Sequence, residues 1–124
     1  MGFVVEFDAK NNILRVTLDG RITDAILFAG YAAMAKFLAS HSSCHSVADF
    51  SPVMSADISS AAVRQLAAAP PLPTAAVRIL VSPKDSVYGM ARMFQILTED
   101  TRPNFHTVRT LDEAYSLLQG SKLW

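Results

Sequence analysis

The chain has one cysteine, Cys44, in 124 residues. A single cysteine excludes an intrachain disulfide framework and fits a reducing compartment. Glycine is sparse, and neither a glycine-rich phosphate loop nor a hydrolase elbow occurs. Net charge is absent, with 11 basic residues against 11 acidic ones. Without a basic stripe or an RNA-binding signature, nucleic acid is not an expected partner. The longest uncharged apolar stretch, Ala25 to Ala35, is too short to span a bilayer. The start, Met1-Gly2-Phe3-Val4-Val5-Glu6, lacks the basic n-region of a signal peptide. Glu6 also breaks the myristoylation pattern. A cytoplasmic protein with no membrane partner is the expectation.

What the chain does have is apolar residues. At 51% they argue against disorder. The length predicts a single domain over residues 1–124. A chain of this size buries roughly two-thirds of its unfolded surface, so it needs no staples.

Periodicity gives the order of elements. Phe3, Val5 and Phe7 alternate with Val4 and Glu6, then Leu14, Val16 and Leu18 with Arg15 and Thr17. These are two strands of a hairpin about the turn at 9–12. Gly20 breaks or bends the second strand near its end. Thr23 caps a first helix from about Asp24 to Ala39. A third strand covers Ser46 to Phe50, and a second helix runs from about Ser59 to Ala68 until Pro70, Pro71 and Pro73 end it. Ala75 to Val81 is a fourth strand, with Arg78 on the face opposite Val77, Ile79 and Val81. A third helix, capped by Asp85 or Ser86, spans about Ser86 to Thr98 and buries Val87, Met90, Phe94 and Leu97. Asn104 to Val108 is a fifth strand. Thr110 and Glu113 form a capping box for a fourth helix, which Gly120 stops.

Alternating strands and helices predict an α/β fold with a five-stranded, mostly parallel sheet. Only the first strand is expected antiparallel. Strands added in one direction put successive right-handed crossovers on one face. Polar Arg15, Thr17 and Arg78 on the other face favour four helices mainly on one side.

The stretch from Asp49 to Leu66 draws the most attention. A buried strand ends in a loop, and a helix begins where Asp57, Ser59 and Ser60 stand among unpaired N–H groups. Asp49-Phe50-Ser51 followed by Val53, then Asp57-Ile58-Ser59, is similar to the Asp-Leu-Ser-x-Val…Asp-Ser-Ser-Gly-Leu run of STAS domains. These occur in sulphate transporters and bacterial anti-sigma-factor antagonists. The element order resembles the family over nearly the whole chain. Ile58, Ser60 and Ala61 stand where the family has Ser, Gly and Leu. The resemblance implies a non-enzymatic regulatory module that docks a protein partner with the surface of the second helix. It also implies that Ser59, at the place of the antagonists' phosphorylated serine, is the switch.

Each candidate has a plainer role beside the functional one. Ser59 and Asp57 also suit helix capping. Asp49 sits at the carboxyl end of a parallel strand, a place for ligand contact, yet it also suits holding its own loop through backbone N–H groups. A small-molecule or enzymatic pocket near Asp49, Asp57 and Ser59 is the alternative reading. His41, Cys44 and His45 fall short of a zinc set, so no metal or cofactor is expected. Met90, Met93 and Phe94 read as core rather than groove. On the first helix, Phe28 with Ala29 and Ala32 faces away from the sheet beside Ala25. That patch is the candidate homodimer interface, unless the fourth helix or Trp124 covers it.

Overall fold

The hairpin forms where alternation places it. In the computed structural model, which describes residues 2–73 and 76–122, β1 (Phe3–Asp8) pairs antiparallel with β2 (Ile13–Leu18). The Asp8 carboxylate accepts the Asn11 backbone N–H at 3.2 Å and its side-chain amide at 2.7 Å. Asn12 takes a φ of 57°, the left-handed region that asparagine tolerates.

The other elements are β3 (Gly20–Thr23), α1 (Asp24–Leu38), β4 (His45–Asp49), β5 (Val53–Asp57), α2 (Ser60–Ala68), β6 (Arg78–Val81), α3 (Asp85–Leu97), β7 (Phe105–Val108) and α4 (Leu111–Lys122). The main sheet has the order β1-β2-β4-β6-β7, parallel everywhere except at β1. This is the expected five-stranded mixed sheet. Ala75 and Trp124 lie outside the described residues.

Two short strands were not expected. Gly20, at φ 68°, turns the chain out of β2. The chain then continues as β3, which pairs in parallel with β5 as a separate ribbon. Each strand buries one anchor, Ile22 or Val53, and leaves most of its other side chains partly or wholly exposed. Such segments carry little hydrophobic alternation.

Register divides the side chains between two faces. Leu14, Val16 and Leu18 share one face of the sheet with Ala48 and Leu80, and α1 and α3 pack there around Leu38 and Val87. Ile13, Val47, Ile79 and Val81 point the other way, beneath Ala114 and Leu118 of α4. Cover is therefore mainly one-sided, with α4 as the exception.

Other details depart from expectation. Arg78 is opposite to Ile79, as predicted, but it lies on the helix-covered face with Ser46 and is buried. Arg15 and Thr17 are on the α4 face, so Arg78 does not belong with them. Lys84, which makes no side-chain cap bond, precedes α3, and Asp85 is the helix's first residue. The buried stripe of α3 runs through Val87, Ala91 and then Thr98, leaving Leu97 half exposed. Steps of three or four residues along a helix explain that drift. Gly120 lies inside α4 rather than at its end. The Thr110 hydroxyl accepts the Glu113 N–H at 3.2 Å, as a cap requires.

Replacing the fully buried Leu14 with Ala should destabilise the chain by about 2–5 kcal/mol through lost contact and a residual cavity. Met54→Ala, at a side chain 78% exposed, should change stability by less than about 0.5 kcal/mol. Urea unfolding of both variants checks this division between core and surface.

Candidate functional site

The β3–β5 ribbon delivers two helix starts side by side. Thr23 at the end of β3 faces Asp57 at the end of β5. Thr23 caps α1 by accepting the Ile26 N–H at 3.4 Å. Ser59 caps α2 by accepting the Ala62 N–H at 3.0 Å. Asp24, the first residue of α1, reaches across to α2. One of its oxygens accepts the Ser59 backbone N–H at 2.8 Å, and the other accepts the Ser59 hydroxyl at 2.7 Å. Carboxylates suit the positive ends of helices, and Asp24 stands at two of them.

The predicted residues thus fall into separate places. Ser59 is exposed and engaged on both sides of its hydroxyl oxygen. Asp57, also exposed, pairs with Arg21 at 3.2 Å on the surface. Ser60 is the exposed first residue of α2. Asp49 is buried at the end of β4, where it accepts the Ser51 N–H at 2.9 Å and pairs with Arg15 at 3.2 Å. It holds its own loop. Among the described residues, Asp49, Asp57 and Ser59 share no hydrogen-bond or ion-pair partner. Sequence reasoning placed Asp24 at a helix start but missed its hold on Ser59. The 35-residue separation hides such a bond from local patterns.

A cavity of about 130 Å³ lies elsewhere, between the sheet and the three-helix layer. Leu27 and Met34 of α1 face Val63 of α2 and Val87, Met90 and Phe94 of α3. Val16, Ala48 and Leu80 form its floor. Met90 and Phe94 therefore line a hollow rather than a filled core, and Met93 does not line it. The Tyr31 hydroxyl donates to the Pro70 carbonyl at 3.4 Å, linking α1 to the proline loop after α2. Asp49, Asp57 and Ser59 do not line the cavity, but Ser46, Arg78 and Arg102 do.

Arg78 donates to the Cys44 carbonyl, to Ser46 Oγ at 3.5 Å and to the Pro73 carbonyl at 2.8 Å. Burial pushes its pKa below the ordinary value, against the opposing influence of Cys44. Desolvation pushes the Cys44 thiol up, outweighing the Leu14 backbone and the Arg78 charge. The cysteine-histidine group has structural partners. Cys44 donates to the His45 carbonyl at 3.0 Å, His45 Nδ1 accepts the Val77 N–H at 2.9 Å, and His41 stacks on Phe37 at 4.1 Å. Among the described residues, no group of three or more His, Cys, Asp and Glu is placed to hold a metal ion, and no helix is long and apolar enough to cross a membrane.

A scan against models of protein families finds no match for this chain, and a search of curated proteins finds none either.

Two outcomes follow from this geometry. Removing the Ser59 hydroxyl with Ser59→Ala should cost about 1 kcal/mol as a lost cap. In a double-mutant cycle with Asp24→Ala the two losses should not add, because they break a shared bond. Strict additivity in urea melts would contradict the tie. The raised thiol pKa leaves Cys44 protonated at mildly alkaline pH. Alkylation there should be far slower in the folded chain than in denaturant, by mass spectrometry.

Proposed function

We propose that this chain is a non-enzymatic, cytoplasmic regulatory module of the STAS type that docks a protein partner at the amino-terminal end of α2, with Ser59 as its phosphorylation switch. The observation that carries this reading is the exposed Ser59 hydroxyl at the start of α2, beside a β5 strand whose Met54 is 78% exposed. The resemblance of the Asp49–Ser59 run to anti-sigma-factor antagonists supports the same reading.

The Asp24 contact gives the switch a direction. A phosphate carries about −1.5 to −2 charge at neutral pH. On Ser59 it would replace the hydroxyl proton held by Asp24 and set a second anion against that carboxylate. The free N–H groups of the first turn of α2 would attract it in return. The phosphate therefore swings away from Asp24, loosening α1 from α2, and presents a bulky anion to a partner. Burial of that anion without a cation is costly, so the partner leaves.

A photo-crosslinker placed at position 54 tests this. With wild type and Ser59→Ala it should trap the same protein from a lysate of the native cell. Ser59→Asp should trap far less of it. Equal adducts from all three would contradict the switch.

We also infer self-association through the outer face of α1. Ala25, Ala29 and Ala32 are exposed there, with Phe28 half-buried among them. The fourth helix packs on the opposite face of the sheet and does not cover them. Small residues let a second copy approach closely, with Phe28 as the anchor. Sedimentation should give a dimer for wild type and a monomer for Phe28→Glu. A monomeric wild type at high concentration would contradict this interface.

A further inference from the structure

The hollow between the sheet and α1, α2 and α3 is walled almost wholly by carbon, and it measures about 130 Å³. Val16, Ala48 and Leu80 are its floor, and Met34, Val87, Met90 and Phe94 line it from the helices. Ala48 and Ala91 leave it open, since an alanine side chain ends at Cβ. Protein interiors are ordinarily packed as densely as organic crystals, and the lining of a void forfeits contacts.

The polar side chains on its border are engaged by the protein. The Tyr31 hydroxyl donates to the Pro70 carbonyl, and the Asn104 amide donates to the Ala76 carbonyl. Arg78 spends its terminal nitrogens on the Cys44 and Pro73 carbonyls and the Ser46 hydroxyl. Arg102 crosses the carboxyl end of α2, donating to the Leu66, Ala67 and Ala69 carbonyls at 3.2, 3.1 and 2.8 Å. Each arginine leaves its Nε without a partner, but both atoms are closed off from accessible surface. A charged or hydrogen-bonding ligand group therefore has nothing to meet there, and its burial is costly. Water is disfavoured on the same ground, because a held water needs at least two polar partners.

We propose that this cavity binds a small neutral aromatic molecule, a single ring with at most a short alkyl group. An apolar cavity of about 150 Å³ holds benzene, so 130 Å³ suits one ring and excludes a long acyl chain. The lining favours an aromatic guest in particular. Met34 and Met90 carry thioethers, which contact ring edges favourably and adapt to the shape of a guest. Phe94 adds a ring to the same wall. The ligand is held by leaving water and by restoring the missing contacts, without a polar anchor. This inference is independent of docking at α2, because Ser59 does not line the cavity.

The test is titration of toluene into the full chain carrying methyl-labelled methionine, read by NMR. Benzyl alcohol, which adds a hydroxyl, and benzoate, which adds a charge, are the comparisons. Toluene should shift the Met34 and Met90 methyl resonances saturably and leave that of Met54, 78% exposed, in place. Benzyl alcohol should bind about tenfold more weakly, the cost of burying a hydroxyl without a partner, and benzoate should not shift Met34 or Met90. Ala91→Leu, which fills the cavity from α3, should abolish the toluene shifts. The proposal is overturned if toluene leaves Met34 and Met90 unmoved, or if it moves Met54 as much. It is also overturned if benzoate or benzyl alcohol binds as tightly as toluene, or if Ala91→Leu binds toluene as wild type does. The wild-type titrations decide the matter even where Ala91→Leu does not fold.

Discussion

The Asp24 carboxylate, closed on both the backbone N–H and the hydroxyl of Ser59, is the contact on which the meeting of the two helix starts depends. It joins the first turn of α1 to the first turn of α2, just beyond the point where β3 pairs with β5. The ribbon fixes the distance between the two helix starts, and the carboxylate locks it. Hydrogen bonds to charged groups are among the stronger ones, and this one carries two donors. Because Ser59 gives its proton to an acid, anything that adds negative charge there acts against the tie. Under the proposed reading, modification of this one capping hydroxyl would alter the relation of two helices.

The same arrangement explains the cavity. Towards its other end α1 meets the α2 side of the layer through Tyr31 and Pro70, while α2 and α3 pack together. Between these fastenings the helices stand apart over the sheet, and small residues such as Ala48 and Ala91 leave the space unfilled. Protein interiors are ordinarily close-packed, so a hollow of this kind costs stability. Two buried cations at its edge add a further cost.

Much of the fold was legible in the chain. The hairpin, the parallel strands, the helices and the single antiparallel edge follow from alternation, caps and breakers. Gly20 marked a bend, but the strand after it was not visible, since Gly-Arg-Ile-Thr buries only Ile22. Arg78 shows the sharper limit. A lone arginine in an apolar strand reads as solvated, whereas two of its partners, the Cys44 carbonyl and the Ser46 hydroxyl, stand 34 and 32 residues away and become neighbours only in the folded sheet. Leu97 and Thr98 exchanged roles because one step on a helix turns a side chain by about 100°. The site was legible in part. Ser59 as a cap was clear from its local pattern, and the loop-holding role of Asp49 was one of two readings. The hold of Asp24 on Ser59 and the charge beside the cavity arise from tertiary contact alone.

The account centres on Ser59 as a switch at a docking surface. The most direct measurement is calorimetric affinity of the protein captured through position 54 for two forms of the chain, unmodified and carrying phosphoserine at position 59. The account predicts tight binding to the unmodified chain and loss of binding to the folded, phosphorylated one. Equal affinity for both forms would contradict it.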